Sequence, residues 1–412
     1  MQHLDAADLN SRTFLALAVI LVAVRAVGWL VGKIGQPRVL GEIVAGILLG
    51  PSALGVVFPG STEHLFPPQV VQSLNVLAQI GLVIFMLLVG LEIDLRALRG
   101  QGRKVTLISQ ASMLVPIALS VPLSLWLHPR FGEGTGRLEF SLFMAAAMAI
   151  TAFPVLSRLL QESDLLRTRV GVVSLLCAAT NDVVAWFLLA VVVAVVNSSG
   201  PLDVVLTLAW SAVYVALMLV VVRPLLRRWG RPPIWGVLVI AVLSAWVTDL
   251  IGIHAIFGAF MAGAVMPREP TWLRAVEGKL GSVTSVLLLP VFFGLVGIST
   301  RVDLLSTPAL WLTVLLVVAV ATAGKLSGSA LTARLTGEPW PESLLIGVLM
   351  NTRGLTEVVI LTVGVQLGVV SPPLFAIMVL MALATTFMAA PLIAALKRRT
   401  TFAGVDEPAG AR

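Results

Sequence analysis

Residues 175–190 read LLCAATNDVVAWFLLA, an apolar run with the pair Asn181-Asp182 at its centre. Apolar sequence extends on both sides from about 169 to 197, enough to cross roughly 30 Å of hydrocarbon at about 1.5 Å per helical residue. A carboxylate at that depth is costly, so Asp182 reads as a functional group. Desolvation favours its protonated form and a bound cation its charged form, so a proton and a metal ion compete for the same two oxygens. Ala178 and Ala179, one turn earlier, leave room for another helix to approach. Asn181 cannot titrate; its amide oxygen can either coordinate a hard cation or hold a neighbouring helix end.

The rest of the chain repeats this apolar character. Its 412 residues are 58% hydrophobic and 12% charged, with a mean hydropathy of +1.00, which places it among polytopic membrane proteins. Apolar runs predict thirteen spans, near 12–32, 38–58, 70–91, 104–127, 138–158, 169–197, 203–222, 233–249, 251–267, 281–299, 308–333, 341–368 and 373–396. The net charge of +7 sits in the gaps between them, which makes it a membrane-orientation signal and argues against a nucleic-acid partner. Lys33, Arg38, Arg96, Arg103, Arg158, Arg223, Arg227 and Arg274 are among the many on one side, while Arg12, Arg130, Arg137 and Arg301 fall on the other. That asymmetry predicts a multi-pass protein of the cell membrane, with its N-terminus outside and its C-terminus cytoplasmic. The lone cysteine, Cys177, can form no intrachain disulfide. No metal-ligand cluster, nucleophile elbow or phosphate loop is present, so neither an enzyme nor a resident cofactor is expected.

An internal repeat emerges from small-residue patterns. IVAGILLG (Ile43 to Gly50) in segment 2 matches IFGAFMAG (Ile256 to Gly263) in segment 9, and FMLLVG (Phe85 to Gly90) in segment 3 matches FFGLVG (Phe292 to Gly297) in segment 10. Segments 5 and 12 pair through Thr151 and Thr352. Equivalent members lie seven helices apart, so the two blocks have opposite membrane orientation. Inverted repeats are the architecture of secondary transporters, which bind substrate near the midplane at discontinuous helices.

Segments 5 and 12 each carry a break signal at mid-depth: AITAFPVLSR contains Pro154, and MNTRGLTEV contains Gly354 after Arg353. Broken backbone within a membrane is tolerated where protein covers it or where it lines a cavity. Freed carbonyls and the hydroxyl of Thr151 are candidate cation ligands beside Asp182. Lys325, in VAVATAGKLSGSALTARL, is a buried ammonium that needs an anion, for which Asp182 is the natural candidate. Arg353 either neutralises carbonyl dipoles or pairs with Glu357 one turn on.

Taken together, VLGEIVAGILLGPSALG, GLVIFMLLVGLEIDL, AITAFPVLSRLL, ATNDVVAWFLLA, GIHAIFGAFMAGAVMP, LPVFFGLVGI and MNTRGLTEVVIL resemble the monovalent cation:proton antiporter-2 family, in its NapA-like and Kef-like branch that includes plant cation/proton exchangers. The resemblance implies an all-α fold of about 13 transmembrane helices in inverted five-helix repeats with two discontinuous crossing helices, assembled as a homodimer. It also implies a dimerisation domain (1–100 and 223–305), a mobile core (101–200 and 306–396) that moves like an elevator, a linker helix (201–222) and a short tail (397–412). The family's essential carboxylate falls on Asp182, its preceding residue on Asn181, and its basic residue on the antepenultimate helix on Lys325.

Two departures matter. Members with two adjacent carboxylates are typically electrogenic, and here the first is Asn181, so one-for-one exchange of H+ with Na+ or K+ is expected. Relatives with a large C-terminal cytoplasmic domain contrast with this chain, for which nucleotide gating is not expected. The competing class is Na+-coupled uptake of an organic anion on the same inverted-repeat fold, which calls for polar ligands and a roomy cavity rather than one deep carboxylate with a buried lysine.

Overall fold

A computed structural model of the chain describes residues 5–92, 102–166, 168–198 and 200–399. Every expected apolar segment contains a helix: α1 (Ala6–Lys33), α2 (Arg38–Leu49), α3 (Pro68–Glu92), α4 (Arg103–Phe131), α5 (Arg137–Ala149), α6 (Phe153–Glu162), α7 (Arg169–Asn197), α8 (Pro201–Leu217), α9 (Ile234–Ile251), α10 (Ala255–Val265), α11 (Leu289–Ser299), α12 (Pro308–Leu326), α13 (Trp340–Met350), α14 (Leu355–Gln366) and α15 (Pro372–Arg399). Segment 5 corresponds to α5 and α6, and segment 12 to α13 and α14, each divided by a short non-helical stretch. Among the described residues, 11 helices are long and apolar enough to cross a membrane, and three apolar helices of 10–17 residues accompany them. The tenth segment starts earlier than its apolar run, at Pro270, where the Glu269 carboxylate accepts from the amides of Thr271 and Trp272 and caps the first turn.

The helices divide into two compact units. The first comprises Met1–Val27, Glu42–Arg96 and Ala190–Ser299. Its core groups Leu87, Leu91, Met218, Val237, Val265 and Trp272. Here the small residues of the internal repeat perform the same task twice. A Cβ on Gly297 of α11 would lie 2.6 Å from the Gly46 Cα of α2, and one on Gly263 of α10 would lie 2.9 Å from the Gly90 Cα of α3. Both crossings bring backbone against backbone, which in lipid replaces the hydrophobic drive for helix association by close van der Waals packing.

The second unit comprises Gly28–Gly41, Ala97–Leu189 and Thr300–Arg412. Ile108, Leu156, Leu160, Cys177, Leu345 and Leu349 belong to its core. It also contains the deeply buried charges Asp182, Lys325, Glu338, Arg353 and Glu357.

Candidate functional site

The site forms where two helices of the second unit stop and restart. Helix α5 ends at Ala149 and α6 begins at Phe153, with Ile150 and Ala152 extended. Pro154 is the second residue of α6, where its missing N–H is harmless and its fixed φ suits the first turn. Helix α13 ends at Met350 and α14 restarts at Leu355. Gly354 between them has φ 155°, a region L side chains rarely adopt, and a Cβ there would lie 2.8 Å from Val155 Cγ2. The first break therefore lies just ahead of Pro154, at residues 150–152, and the second contains Gly354.

The two breaks are bonded to each other. Ala152 N donates to Thr352 O at 3.1 Å, and Thr151 Oγ1 donates to Met350 O, the last carbonyl of α13, at 2.9 Å. The orphan carbonyls at the end of α5 are taken by two cations from elsewhere in the sequence. Arg353 donates to Ala147 O at 3.0 Å and Met148 O at 2.8 Å. Lys325 donates to Ala149 O at 2.5 Å and to Thr151 Oγ1 at 2.7 Å. Three successive carbonyls at the negative end of a helix dipole are thus neutralised by positive charge. Glu357 complements this arrangement, since it lies in the first turn of α14, at a positive helix end, and accepts from Arg353 at 3.0 Å. Arg353 therefore fulfils both sequence-derived roles at once.

Lys325 differs from expectation. Its two hydrogen bonds go to the unwound stretch of segment 5, and Asp182, Glu357 and Arg353 act on it as nearby charges. An ammonium has three donors and no preference for carboxylate over carbonyl once it lies at a helix C-terminus. A π-helical turn, Ser327–Leu331, follows immediately.

Asp182 is 1% exposed and Asn181 is fully buried beside it on α7. The Asn181 amide meets two serines of α4. With its nitrogen towards Ser109, it donates to Ser109 Oγ at 2.7 Å and to Ser109 O and Cys177 O at 3.2 Å, while its oxygen accepts from Ser112 Oγ at 2.7 Å. In the other amide orientation both serines remain bonded, each at 2.7 Å.

Three groups of residues went unnoticed in the sequence. Ser109 and Ser112 are one turn apart in an apolar run, which was a readable signal. Thr386 of α15 accepts from Arg353 N at 2.9 Å and donates to Arg353 O at 2.6 Å, so it holds the second break closed. It occupies segment 13, the repeat counterpart of the segment carrying Asn181-Asp182. Glu338, in the gap between α12 and α13, accepts from Lys104 and lies 3.4 Å from Arg169. Burial pushes its carboxyl up, but hydrogen bonds with Lys104 and Glu342 and the charges of Lys104 and Arg169 outweigh this and hold it below its ordinary value.

The family described as sodium/hydrogen exchanger, transmembrane, matches residues 17–397. The chain is 39% identical over 389 residues to the Na(+)/H(+) antiporter NhaS4 of Synechocystis, covering 92% of this chain and 95% of that protein. It is 39% identical over 396 residues to Cation/H(+) antiporter 17 of Arabidopsis thaliana and 34% identical over 376 residues to K(+)/H(+) antiporter 1 of Saccharomyces cerevisiae. Those alignments cover 93% and 87% of this chain but 48% and 43% of the plant and yeast proteins, so the chain spans about half their length or less. In fold it resembles the sodium proton antiporter MjNhaP1 of Methanocaldococcus jannaschii, with a TM-score of 0.64 and 17% identity, over 95% of this chain and 97% of that one.

Proposed function

Because the chain belongs to the sodium/hydrogen exchanger family of multi-pass membrane proteins, we propose that it exchanges Na+ or K+ for H+ by letting the two compete for the carboxylate of Asp182. The observation that supports this is a buried carboxyl that acts as a nearby charge on Lys325, the cation bonded to the first of two broken helices whose dipole ends are compensated by Lys325, Arg353 and Glu357. With the backbone charges balanced, the charge that changes during exchange is that of Asp182. Binding a cation stabilises the carboxylate, and losing it lets desolvation return the proton. Thr151 Oγ1 is a ligand for the incoming ion once Lys325 withdraws from it. Asn181 supports the site without titrating.

The same reading extends to the assembly. The second unit is the ion-carrying core of an elevator-type cycle, the first is the scaffold of a homodimer, and the N-terminus faces outward. The test is dequenching of a pH-sensitive dye in proteoliposomes on addition of Na+, K+, Li+ or Rb+. Wild-type protein dequenches the dye with Na+ or K+, and Asp182→Asn, which removes the carboxylate at nearly constant volume, does not while remaining folded. Exchange of any of these ions by purified Asp182→Asn would overturn the assignment.

A further inference from the structure

We propose that Ser109 and Ser112 of α4 are positioning residues for exchange, holding the Asp182 carboxylate in place by way of Asn181. The proposal rests on the reading of Asp182 as the exchanging group.

The geometry is a closed polar cluster in an otherwise apolar interface. Ser109, Ser112 and Asn181 are all fully buried. Both ends of the amide are engaged by α4, through bonds of 2.7 Å to each serine hydroxyl. With the Asn181 nitrogen towards Ser112, the Ser112 hydroxyl is free to donate to the backbone carbonyl of Ser109 at 2.7 Å, which ties it to its own helix. Cys177 Sγ, one turn before Asn181, contacts Val105 O of α4 at 3.5 Å and extends the same seam. Peptide geometry then does the rest: residue 182 follows residue 181 on a rigid helix, so fixing the amide fixes the rotation and height at which Asp182 projects.

Helix α4 also sets the other side of the site. A Cβ on Gly328, in the π-helical turn that follows α12, would lie 2.5 Å from Ala111 O, and one on Gly324 of α12 would lie 3.0 Å from Pro116 Cα. Ala111 immediately precedes Ser112, and Gly324 immediately precedes Lys325. One helix therefore carries the register of both the carboxylate helix and the lysine helix. A misplacement of well under a helical turn is enough to lengthen ion ligands, because coordination falls off steeply with distance. This arrangement also occupies the amide of Asn181, which leaves cation coordination to Asp182 and the oxygens of the break.

The test uses the full chain in proteoliposomes, with Na+ and K+ as probes and dye dequenching as the readout. Ser109→Ala and Ser112→Ala each remove one arm, and the double variant removes both. The expected result is a half-saturating cation concentration raised about threefold to tenfold, the range a lost buried hydrogen bond spans, with the pH midpoint of exchange shifted by about half a unit to one unit. Ser112→Thr, which keeps the hydroxyl, restores both. In an Asn181→Ala background the serine substitutions produce no further change, because they act through the amide. Ser124→Ala is the control: its hydroxyl lies on the same helix and contacts Ser141 of α5 at 2.9 Å, and its loss leaves both parameters unchanged. Should the double variant fail to fold, the single variants carry the test.

Wild-type half-saturation and pH midpoint in a folded serine variant would overturn the proposal, as would effects that simply add to those of Asn181→Ala. If Asp182→Asn is inactive while the serine variants behave as wild type, the positioning role fails alone. If Asp182→Asn still exchanges, the underlying reading fails with it.

Discussion

Lys325 Nζ donates to Thr151 Oγ1 at 2.7 Å, so the buried ammonium of one repeat rests on a side chain of the unwound stretch of the other. The carboxylate of Asp182, its expected partner, influences it through space. An ammonium in that position caps the end of α5, and under the proposed function it occupies the hydroxyl oxygen assigned to the incoming cation.

Removing the ammonium therefore has a structural and a transport consequence. Lys325→Ala leaves Ala149 O and Thr151 Oγ1 without a charged donor, a loss of about 1.5–3 kcal/mol for a hydrogen bond to a charged group. A fall of several degrees in the thermal midpoint of the detergent-purified protein is expected, together with a shifted pH profile of exchange. Unchanged values for both would show that the ammonium contributes nothing at this position.

Arg353 and Glu357 form a fully buried pair 3.0 Å apart, and breaking such a pair is worse than lacking it. Arg353→Leu strands the Glu357 carboxylate and frees Ala147 O and Met148 O, at about 3–5 kcal/mol. Glu357→Gln keeps an acceptor for the guanidinium and is milder. Size-exclusion profiles and thermal unfolding of the two variants rank them in that order. The reverse order would mean that Arg353 does not hold the break.

Electrical behaviour follows from the number of titrating groups at the site. Asn181 takes no proton, so under the proposed reading Asp182 alone would trade one H+ for one monovalent cation and no net charge would move. An elementary charge crossing the membrane couples to the potential by about 2.3 kcal/mol per 100 mV. In proteoliposomes with a clamped diffusion potential, the rate and end-point of exchange are expected to be independent of that potential. A potential that by itself drives net H+ movement at equal cation concentrations would refute the one-for-one scheme and identify Lys325 as a second proton carrier.

Glu338 predicts a pH dependence of stability. Its folded carboxyl is held below the ordinary value of 4.5, so its contribution is complete above that pH and is lost as pH falls through the folded value. Glu338→Gln is expected to lower stability at pH 7 by about 1–2 kcal/mol, discounted for the partial exposure of Lys104 and Arg169. The wild-type and variant thermal midpoints then converge as pH falls below 4.5. Parallel curves down to the acid limit would show that the ionised carboxylate is not what holds Lys104 and Arg169.

Much of this was readable in the chain before any coordinates. Apolar run length gave the segments, because lipid demands that each span satisfy its own backbone. The breaks at Pro154 and Gly354 were legible because one residue lacks an N–H and the other lacks a Cβ, properties that act locally. Asp182, Lys325, Arg353 and Glu357 stood out because charge is rare at such depth.

What the sequence could not determine was which buried groups bond to which. Asn181 and Ser109 are 72 positions apart, and Lys325 and Thr151 are 174 apart. The rotation and height of one helix against another decide such pairs, through crossings like that of Gly328 on Ala111, and each donor has several chemically equivalent acceptors to choose from. Residue type therefore identified the charges, while tertiary packing alone sent the lysine to a carbonyl and a hydroxyl and the asparagine to two serines.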